Sequence, residues 1–178
     1  MPIAMCECRT RDRSCRSLFS VSLSPELSFT LMTGSVRFIE KPDLSDAVLN
    51  DLFSASWTSH TVRAFGPILQ RSLTYLGAYQ DSEVVGFVNV AWDGGDHAFL
   101  LDPTVLPSCR RRGIGLALVA AAVKAAAASG AEWLHVDYDA ALDPFYRRAG
   151  FRPTHAGLIH LSAGSMSRPD DSTPANGH

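Results

Sequence analysis

The chain has 178 residues, of which 46% are hydrophobic and 19% charged, and its formal net charge is -2. This composition is typical of one globular domain with an ordinary core, and the small net charge excludes a general attraction to nucleic acid or anionic membranes. No uncharged apolar run reaches the roughly 18 residues that a membrane-spanning helix needs. We therefore expect a soluble protein without a nucleic-acid or membrane partner.

The two ends of the chain differ from the middle. The first 34 residues are rich in arginine and serine, which is typical of a transit peptide, but acidic residues interrupt them. We expect residues 1–34 to be a disordered or artificially extended start, with Met32 as an alternative initiator. The tail, residues 164–178, is rich in Ser, Pro, Asp and Gly and is also expected to be disordered.

The four cysteines do not form a disulfide framework. Cys6, Cys8 and Cys15 lie in the N-terminal segment, and Cys109 is alone in the predicted domain. This distribution fits a reducing compartment, so we expect a cytoplasmic protein. Cys6-x-Cys8 has no second ligand pair at the spacing of a zinc site, so no metal is predicted.

The domain begins with a predicted strand and two predicted helices. Residues 36–40 favour a strand, and Asp43 can cap a helix that extends to about residue 56. A second helix is predicted over 61–73, where Pro67 disturbs its middle. The apolar face of the first helix consists of Leu44, Val48, Leu49, Leu52 and Phe53.

Three strands are predicted next. Residues 75–79, 84–92 and 98–105 are apolar, with turns between them at 80–83 and 93–96. Pro103 removes a backbone donor from the third of these strands, so we expect a bulge or an unpaired edge there.

The second half begins with the clearest helix, over 113–129, which Gly130 ends. Its predicted buried face consists of Leu116, Val119, Val123 and Ala126. A strand at 133–138, a short helix at 144–149 and strands at about 151–154 and 158–161 follow. This order predicts a mixed sheet with helices on both sides, an α/β (α+β) fold.

A turn joins the strand that ends at Val105 to the clearest helix. Residues 105–115 read Val-Leu-Pro-Ser-Cys-Arg-Arg-Arg-Gly-Ile-Gly. Glycines let a ligand approach the backbone closely, and the free N–H groups and dipole at a helix start favour an anion such as phosphate. The three arginines add positive charge and forked donors. The segment therefore predicts a pyrophosphate site.

Two common phosphate loops are excluded. A Walker loop needs Gly-Lys-Ser/Thr, and no lysine follows Gly113 or Gly115. The dinucleotide fingerprint needs Gly or Ala where this chain has Leu118. What remains is Arg-x-x-Gly-x-Gly, from Arg110 to Gly115, preceded by Val-x-Pro.

This pattern resembles the coenzyme A loop of the GCN5-related N-acetyltransferases (GNAT), Gln/Arg-x-x-Gly-x-Gly/Ala. A second block, Phe-Tyr-Arg-Arg-Ala-Gly-Phe at 145–151, resembles the family's Phe-Tyr-x-x-x-Gly-Phe segment. The resemblance covers residues 35–163 and implies one N-acetyltransferase domain with a mostly antiparallel central sheet and helices on both sides. It also implies acetyl-CoA as the acyl donor and an amine as the acceptor.

The resemblance assigns the coenzyme contacts to one stretch of chain. The backbone of Val105 would reach the pantetheine arm and the thioester carbonyl, at a place where two central strands of the family part. The N–H groups from Arg111 to Gly115 would hold the pyrophosphate, and arginine side chains would add contacts. The implied binding residues are Thr104, Val105, Leu106, Arg110, Arg111, Arg112, Gly113, Ile114 and Gly115.

The resemblance also assigns Tyr146 as the general acid that faces the coenzyme sulfur. A phenol with a pKa of about 10 protonates a thiolate, whose acid has a pKa of about 8–9, only when it is held next to it. The position of Tyr146, and not its acidity, would therefore have to account for this role.

The general base stays open. The family often has a Glu on the strand before the coenzyme loop, where this chain has Phe99. Asp102 is the preferred candidate, Asp137 and His97 are alternatives, and a water chain without a dedicated base is a further one.

Two further positions depart from the family pattern, and several residues near the expected acceptor side could contact the acceptor. Asp139 replaces an Asn that often contacts the coenzyme, and Cys109 replaces a commonly aromatic residue. Five aspartates lie near this side: Asp93, Asp96, Asp102, Asp137 and Asp139. Together they would attract a cationic amine, although Asp93 and Asp96 flank Gly-Gly and are also explained as ordinary turn residues. Candidate lining residues of the acceptor groove are Trp57, His60 and Trp92.

These observations predict transfer of an acetyl group from acetyl-CoA to a primary amine by direct attack. The alternative is a non-catalytic acyl-CoA-binding or regulatory module of the same fold. A nucleic-acid-binding domain that uses the three arginines is disfavoured by the net charge of -2. The sequence leaves open a homodimer in which a C-terminal strand pairs between subunits.

Overall fold

The computed structural model describes residues 30–33, 35–159 and 161. Its sheet has six strands that lie side by side in chain order, antiparallel from β1 to β5 and parallel between β5 and β6. Short turns join three of the antiparallel pairs, a longer segment, residues 41–73, joins the second strand to the third, and the helical crossover after the fifth strand produces the parallel pair. The strands are β1 (Thr30–Thr33), β2 (Val36–Glu40), β3 (Thr74–Gln80), β4 (Glu83–Trp92), β5 (His97–Val105) and β6 (Trp133–His135).

The helices cover both faces of this sheet, so the predicted fold class is confirmed. They are α1 (Asp46–Ser56), α2 (Gly66–Leu69), α3 (Ile114–Ala128) and α4 (Asp143–Arg148), with short 3-10 helices at Pro107–Cys109 and Ala140–Leu142. The N-cap of α1 is Ser45, whose hydroxyl accepts from the Val48 N–H at 3.3 Å, so the predicted cap at Asp43 was two residues too early.

Two apolar clusters hold the layers together. The larger one lies between α3 and one face of the sheet, where Leu76, Val88 and Leu100 meet Leu118 and Val119. The smaller one lies on the opposite face, beneath α1, and consists of Leu49, Leu52, Phe53, Phe65 and Phe87. The functional loop after β5 runs from one face to the other, and Leu106 packs against both clusters.

The predicted buried face of α3 was partly wrong. Val119 and Ala126 are buried as expected, but Val123 is 39% exposed and Leu116 is only half-buried. The helix is apolar on nearly every side, so hydrophobic periodicity does not define one face. The residues that meet the sheet are Ile114, Leu118, Val119, Ala121, Ala122 and Ala126.

The predicted domain boundary at residue 34 also needs a correction. Thr30–Thr33 forms β1, which pairs with β2 from Thr30 opposite Ile39 to Thr33 opposite Val36. The free edge of β2 offers backbone groups that this short segment satisfies. The remainder of the predicted N-terminal segment, residues 1–29 and 34, lies outside the described residues, as do the whole predicted tail, residues 164–178, and the cysteines before Cys109.

Three further predicted elements differ in the structure. The helix predicted over 61–73 is reduced to α2, because Pro67 fits only the first turn of a helix. The strand predicted at 133–138 ends at His135. Residues 151–159 form no strand, and Leu158, Ile159 and Leu161 are 81–90% exposed, because the three-residue β6 offers them little edge to pair with.

Within the described part of the chain, no helix is long and apolar enough to cross a membrane.

The pairing of β1 predicts a measurable contribution to stability. A chain that begins at Ser35 should melt below a chain that begins at Thr30, because it loses the edge strand and exposes β2. Each 1 kcal/mol lost should lower the melting temperature by about 2–4 °C in a domain of this size. A chain that begins at Met32 keeps two of the four ladder pairs and should fall between them. Equal melting of all three would show that β1 is dispensable.

Candidate active site

A bulge in β5 shapes the centre of the site. Phe87 of β4 lies opposite Thr104, but Asn89 lies opposite Leu101, so β5 carries one extra residue between these pairs. Pro103 cannot donate to the ladder, and Asp102 takes a positive φ of 53°. The bulge predicted from Pro103 is therefore present, and Asp102 lies at its bend.

Beyond the first residues of β5 the sheet opens. The parallel pairing of β5 with β6 stops at Phe99 opposite His135. Residues 100–105 of β5 therefore face no described strand on the side away from β4. The resemblance implies that two central strands separate at Val105. In the structure β5 and β6 already separate after Phe99.

The loop before α3 presents unpaired backbone donors. Arg111 and Gly113 both have positive φ, 64° and 82°. No backbone N–H from Arg111 to Leu116 donates to another described residue, and the first helical bond runs from Ala117 N–H to Gly113 C=O at 3.0 Å. Alternation of this kind turns successive N–H groups into a concave anion site, at the positive end of the 15-residue α3.

The two sequence blocks of the predicted site come together at Gly115. A Cβ added to Gly115 would lie 3.6 Å from Cγ2 of Val105 and 3.7 Å from the ring of Phe145. The end of β5, the start of α3 and the start of α4 therefore meet at one point. Tyr146, the predicted general acid, follows Phe145 directly in the chain and is therefore one residue away from this meeting point.

Tyr146 is packed among aromatic rings. It is 3% exposed, stacks on Tyr138 with centroids 4.3 Å apart, and meets Phe145 and Phe151 edge to face. Burial raises the pKa of the Tyr146 phenol, and the negative charge of Asp137 raises it further. The phenol therefore keeps its proton at neutral pH, and its ring is held by three neighbours.

Asp102 is the carboxylate at the bulge. Its side chain is 41% exposed, and Oδ2 lies 3.8 Å from Nη2 of Arg63. Desolvation raises the pKa of Asp102, and the Arg63 guanidinium opposes that rise only in part. A carboxylate with a raised pKa in an open part of the sheet suits a group that accepts a proton.

The bulge is tied to α1 through one indole. Nε1 of Trp57, the residue after α1, donates to Oγ1 of Thr104 at 2.9 Å, and that hydroxyl donates to the Asp102 carbonyl at 2.9 Å. Thr104 is 2% exposed. Of the residues predicted to line the acceptor groove, Trp57 therefore lies beside Asp102.

The three arginines of the loop have different surroundings. Arg110 donates to the carbonyls of Val105 at 3.1 Å and Ser56 at 3.2 Å, which joins β5 to the end of α1. Arg112 donates to Oε1 of Gln80 at 3.0 Å and borders a separate cavity of about 490 Å³ under the β3–β4 turn. Arg111 is exposed and its side chain makes no hydrogen bond or ion pair with a described residue, so it has the guanidinium most available to a phosphate.

Most of the predicted acidic group is not gathered near Asp102. Asp93 and Asp96 lie in the β4–β5 turn, at the other end of β5. The Gly95 N–H donates to Asp93 at 2.7 Å and lowers the pKa of its carboxyl, so Asp93 is a turn residue. Trp92 donates to the Gly95 carbonyl in the same turn and does not lie beside Trp57.

The remaining candidates have other partners. Nδ1 of His97 lies 2.7 Å from Nε2 of His135, and Phe99 stacks on the His135 ring. Asp139 accepts from the Ala141 N–H and caps a 3-10 helix. Asp137 is exposed and acts on Tyr146 through its charge. No group of three or more metal-ligating side chains occurs within the described residues.

Sequence reasoning missed the contacts of Arg63. Arg63 was predicted to lie in a helix over 61–73, but it lies in an extended loop before α2. That loop is fastened to α1 by Asn50, which is 8% exposed. A polar residue in the apolar face of α1 was the available signal, because a buried amide requires partners.

The segment from residue 45 to residue 151 matches the sequence model of the Acetyltransferase (GNAT) family. The chain belongs to the GNAT acetyltransferase family. This match spans Asp102, the loop before α3 and Tyr146, so every candidate residue lies inside the family domain.

One relative of known name is also an acetyltransferase. The mycothiol acetyltransferase of Nocardia farcinica is 32% identical over 118 residues, which are 60% of this chain and 38% of that protein. The chain thus spans less than two fifths of the length of this relative.

Solved structures show the same fold. A GNAT-family acetyltransferase from Streptococcus pneumoniae superposes with a TM-score of 0.63 at 24% identity, over 72% of this chain and 98% of that one. The aminoglycoside N-acetyltransferase AAC(6')-Iy in complex with CoA has a TM-score of 0.60 at 21% identity, over 79% and 99% of the two chains.

The clearance at Gly115 predicts a binding defect. A Cβ at this position makes only ordinary contacts, so Gly115→Ala should fold and serve as the matched control. Gly115→Val adds two branched methyl groups beside the unpaired N–H groups of the loop. Calorimetric affinity for acetyl-CoA should fall about tenfold or more, which is 1.4 kcal/mol. A folded valine variant with unchanged affinity would refute the loop assignment.

Proposed function

We propose that this GNAT domain transfers an acetyl group from acetyl-CoA to a primary amine by direct attack. The observation that carries the proposal is the meeting of β5, the start of α3 and the start of α4 at Gly115, with Asp102 at the bulge on the same strand. Family membership supports acetyl-CoA as the donor. The relatives include a mycothiol acetyltransferase and an aminoglycoside N-acetyltransferase. Their acceptors belong to those proteins, so the acceptor of this chain has to be found by experiment.

The coenzyme would be held by the loop before α3. Acetyl-CoA would supply the acetyl group as a thioester. The unpaired N–H groups from Arg111 to Gly115 would receive its pyrophosphate, with the Arg111 guanidinium as an added donor. The strand edge at Thr104 and Val105, where β5 has no partner opposite β4, would lie along the pantetheine arm, and Leu106 and Ile114 would support the loop from the core.

Arg110 and Arg112 fit a supporting function better than direct phosphate contact. Arg110 already donates to two carbonyls, and Arg112 to Gln80. Removing Arg110 would leave the Ser56 and Val105 carbonyls without these donors. We therefore propose that Arg110 positions the loop and that Arg112 closes its outer side.

Asp102 is proposed as the base. A primary amine is mostly protonated at neutral pH, with a pKa of about 10.4 for a lysine-like group, so it must lose a proton before it attacks. The Asp102 carboxylate is half-exposed at the opening of the sheet, and its raised pKa brings it closer to the range in which a base works well. Its negative charge also attracts the ammonium form of the acceptor.

Tyr146 is proposed as the acid. As the new C–N bond forms, the C–S bond breaks, and the departing sulfur needs a proton. The phenol of Tyr146 is protonated at neutral pH, as its raised pKa requires, and its ring is held by the stacked ring of Tyr138 and the edge-to-face contact with Phe145. Release of free thiol on mixing the full chain with acetyl-CoA and a panel of amines tests the activity. Acetyl-CoA binding without thiol release from any amine would instead support the non-catalytic module.

Loss of the Tyr146 hydroxyl should reduce turnover and leave binding intact. Tyr146→Phe keeps the ring that stacks on Tyr138, so the fold should be preserved. If the hydroxyl acts in the transition state, kcat should fall by about 10²–10⁴ with little change in acetyl-CoA affinity. Turnover within threefold of the wild type, measured by thiol release, would rule out the acid function.

Asp102→Asn should lower activity without lowering stability. Asparagine tolerates the positive φ at this position. The folded-state pKa of Asp102 is raised, so ionisation of this carboxyl costs stability as the pH rises through its pKa, and a neutral amide avoids that cost. We expect kcat/KM to fall by about 10²–10⁴ and the melting temperature at neutral pH to stay equal or rise.

The pH profile gives the same prediction a second readout. The base must be ionised, so wild-type kcat/KM should decline on acidification through a pKa above the usual aspartate value of about 3.9. That decline should disappear from the residual activity of Asp102→Asn. An unchanged acid limb in the variant would assign the proton to another group.

A further inference from the structure

Arg63 places a guanidinium next to the proposed base. It lies in the loop between α1 and α2, with Nη2 3.8 Å from Oδ2 of Asp102 and Cζ 5.0 Å from the centroid of the Phe65 ring. A separation of 3.8 Å is longer than a hydrogen bond. The guanidinium donates no hydrogen bond to a described residue, and its side chain is 47% exposed. Its forked donors therefore face the opening beside Asp102 without an acceptor.

The backbone of Arg63 is fixed, although its side chain is exposed. The Arg63 N–H donates to Oδ1 of Asn50 at 3.0 Å, and Nδ2 of Asn50 donates to the Arg63 carbonyl at 2.9 Å. Nδ2 of Asn50 also donates to the Asp46 carbonyl, and Oδ1 of Asp46 accepts from the Phe65 N–H at 2.8 Å. Both polar backbone groups of Arg63 are thus bonded to α1.

Asn50 is the centre of this anchoring. Asn50 is 8% exposed and uses both ends of its amide on one loop residue. A buried amide satisfied in this way holds a loop in one conformation. The ring of Phe65, 1% exposed, then supports the guanidinium from the other side. Side chain and backbone together hold the positive charge at one place beside a carboxylate.

A positive and a negative group at this separation complement a molecule with the opposite pair. Guanidinium binds carboxylates through two parallel hydrogen bonds, while carboxylate binds ammonium. In an α-amino acid the ammonium nitrogen and the carboxylate carbon are attached to the same carbon. We propose that the acceptor is a free α-amino acid or a derivative with a free α-carboxylate, whose carboxylate Arg63 binds while its amine faces Asp102.

This inference rests on the proposed function, and it adds a specificity-determining residue and an acceptor class. The inference predicts which amines are good acceptors and which are poor ones. Amino acids should be used better than their amides, which keep the amine and the side chain but lose the anion. Polycationic amines should be poor acceptors, because Arg63 repels them.

The test compares free amino acids with their C-terminal amides on the full chain. For the wild type, kcat/KM from thiol release should favour the free acid at least about tenfold, mainly through KM. Arg63→Gln should bring the ratio of acid to amide close to one. Arg63→Lys, which keeps the charge but not the forked donors, should fall between them. Arg71→Gln is the matched control, because Arg71 is an exposed arginine whose side chain donates to the Pro67 carbonyl; it should leave the ratio unchanged.

Calorimetric binding of the free amino acids and their amides distinguishes failure of the Arg63 inference from failure of the proposed acetyltransferase function. Transfer to amides as good as to acids, or an unchanged ratio in Arg63→Gln, would overturn the inference and leave the acetyltransferase function standing. Absence of transfer to every amine would overturn the function itself. In that case tighter binding of the acid than the amide, lost in Arg63→Gln, would still support Arg63 as the carboxylate site, and equal binding would overturn it. Faster transfer to polycationic amines by Arg63→Gln, with no change for amino acids, would also overturn it.

Discussion

Pro103 cannot donate a backbone hydrogen bond, and β5 does not keep its register with β4 past Leu101. One extra residue in a strand reverses the face of every later position. Thr104 therefore points to the α1 side, where Trp57 binds it, and Val105 turns to the α3 side, where it meets Gly115. The proposed acceptor side and the proposed coenzyme side of the candidate site both depend on this one irregularity.

The opening of the sheet follows from the same region. β6 pairs with β5 over three residues and then leaves it. A longer parallel pairing would cover the strand edge at Val105 and fill the space in front of the loop before α3. The short β6 thus keeps the edge of β5 open, although His135, its last residue, contacts only His97 and Phe99 in the bonds described above.

Local signals in the sequence predicted the loop and the bulge. Glycine permits backbone conformations that other residues avoid, as at Gly113, and proline restricts them, as at Pro103; both effects are independent of the rest of the fold. The buried face of α3 could not be read in this way, because Val123 and Leu116 are as apolar as the residues that meet the sheet. Periodicity needs polar residues as a contrast, and α3 has only Lys124 between Ile114 and Ala128.

The contacts of Arg63 and Arg110 depend on tertiary structure. Arg63 meets Asp102, 39 positions later, and Arg110 meets Ser56, 54 positions earlier. No spacing rule links residues so far apart, and the run of three arginines looked uniform because their partners were not visible in the sequence. In the structure the three arginines differ. Arg110 joins α1 to β5, Arg112 donates to Gln80 at the β3–β4 turn, and the Arg111 guanidinium has no hydrogen-bond partner among the described residues.

The hydrogen bond between Trp57 and Thr104 has an optical consequence. The chain contains three tryptophans, and Trp92 and Trp133 lie at the far end of β4 and at the start of β6. Trp57 is 46% exposed, with its indole N–H fixed to the bulge and its ring at the opening beside Asp102. Indole emission responds to solvent contact and to hydrogen bonding, so a chain that keeps only this tryptophan carries its own fluorophore at the proposed acceptor side.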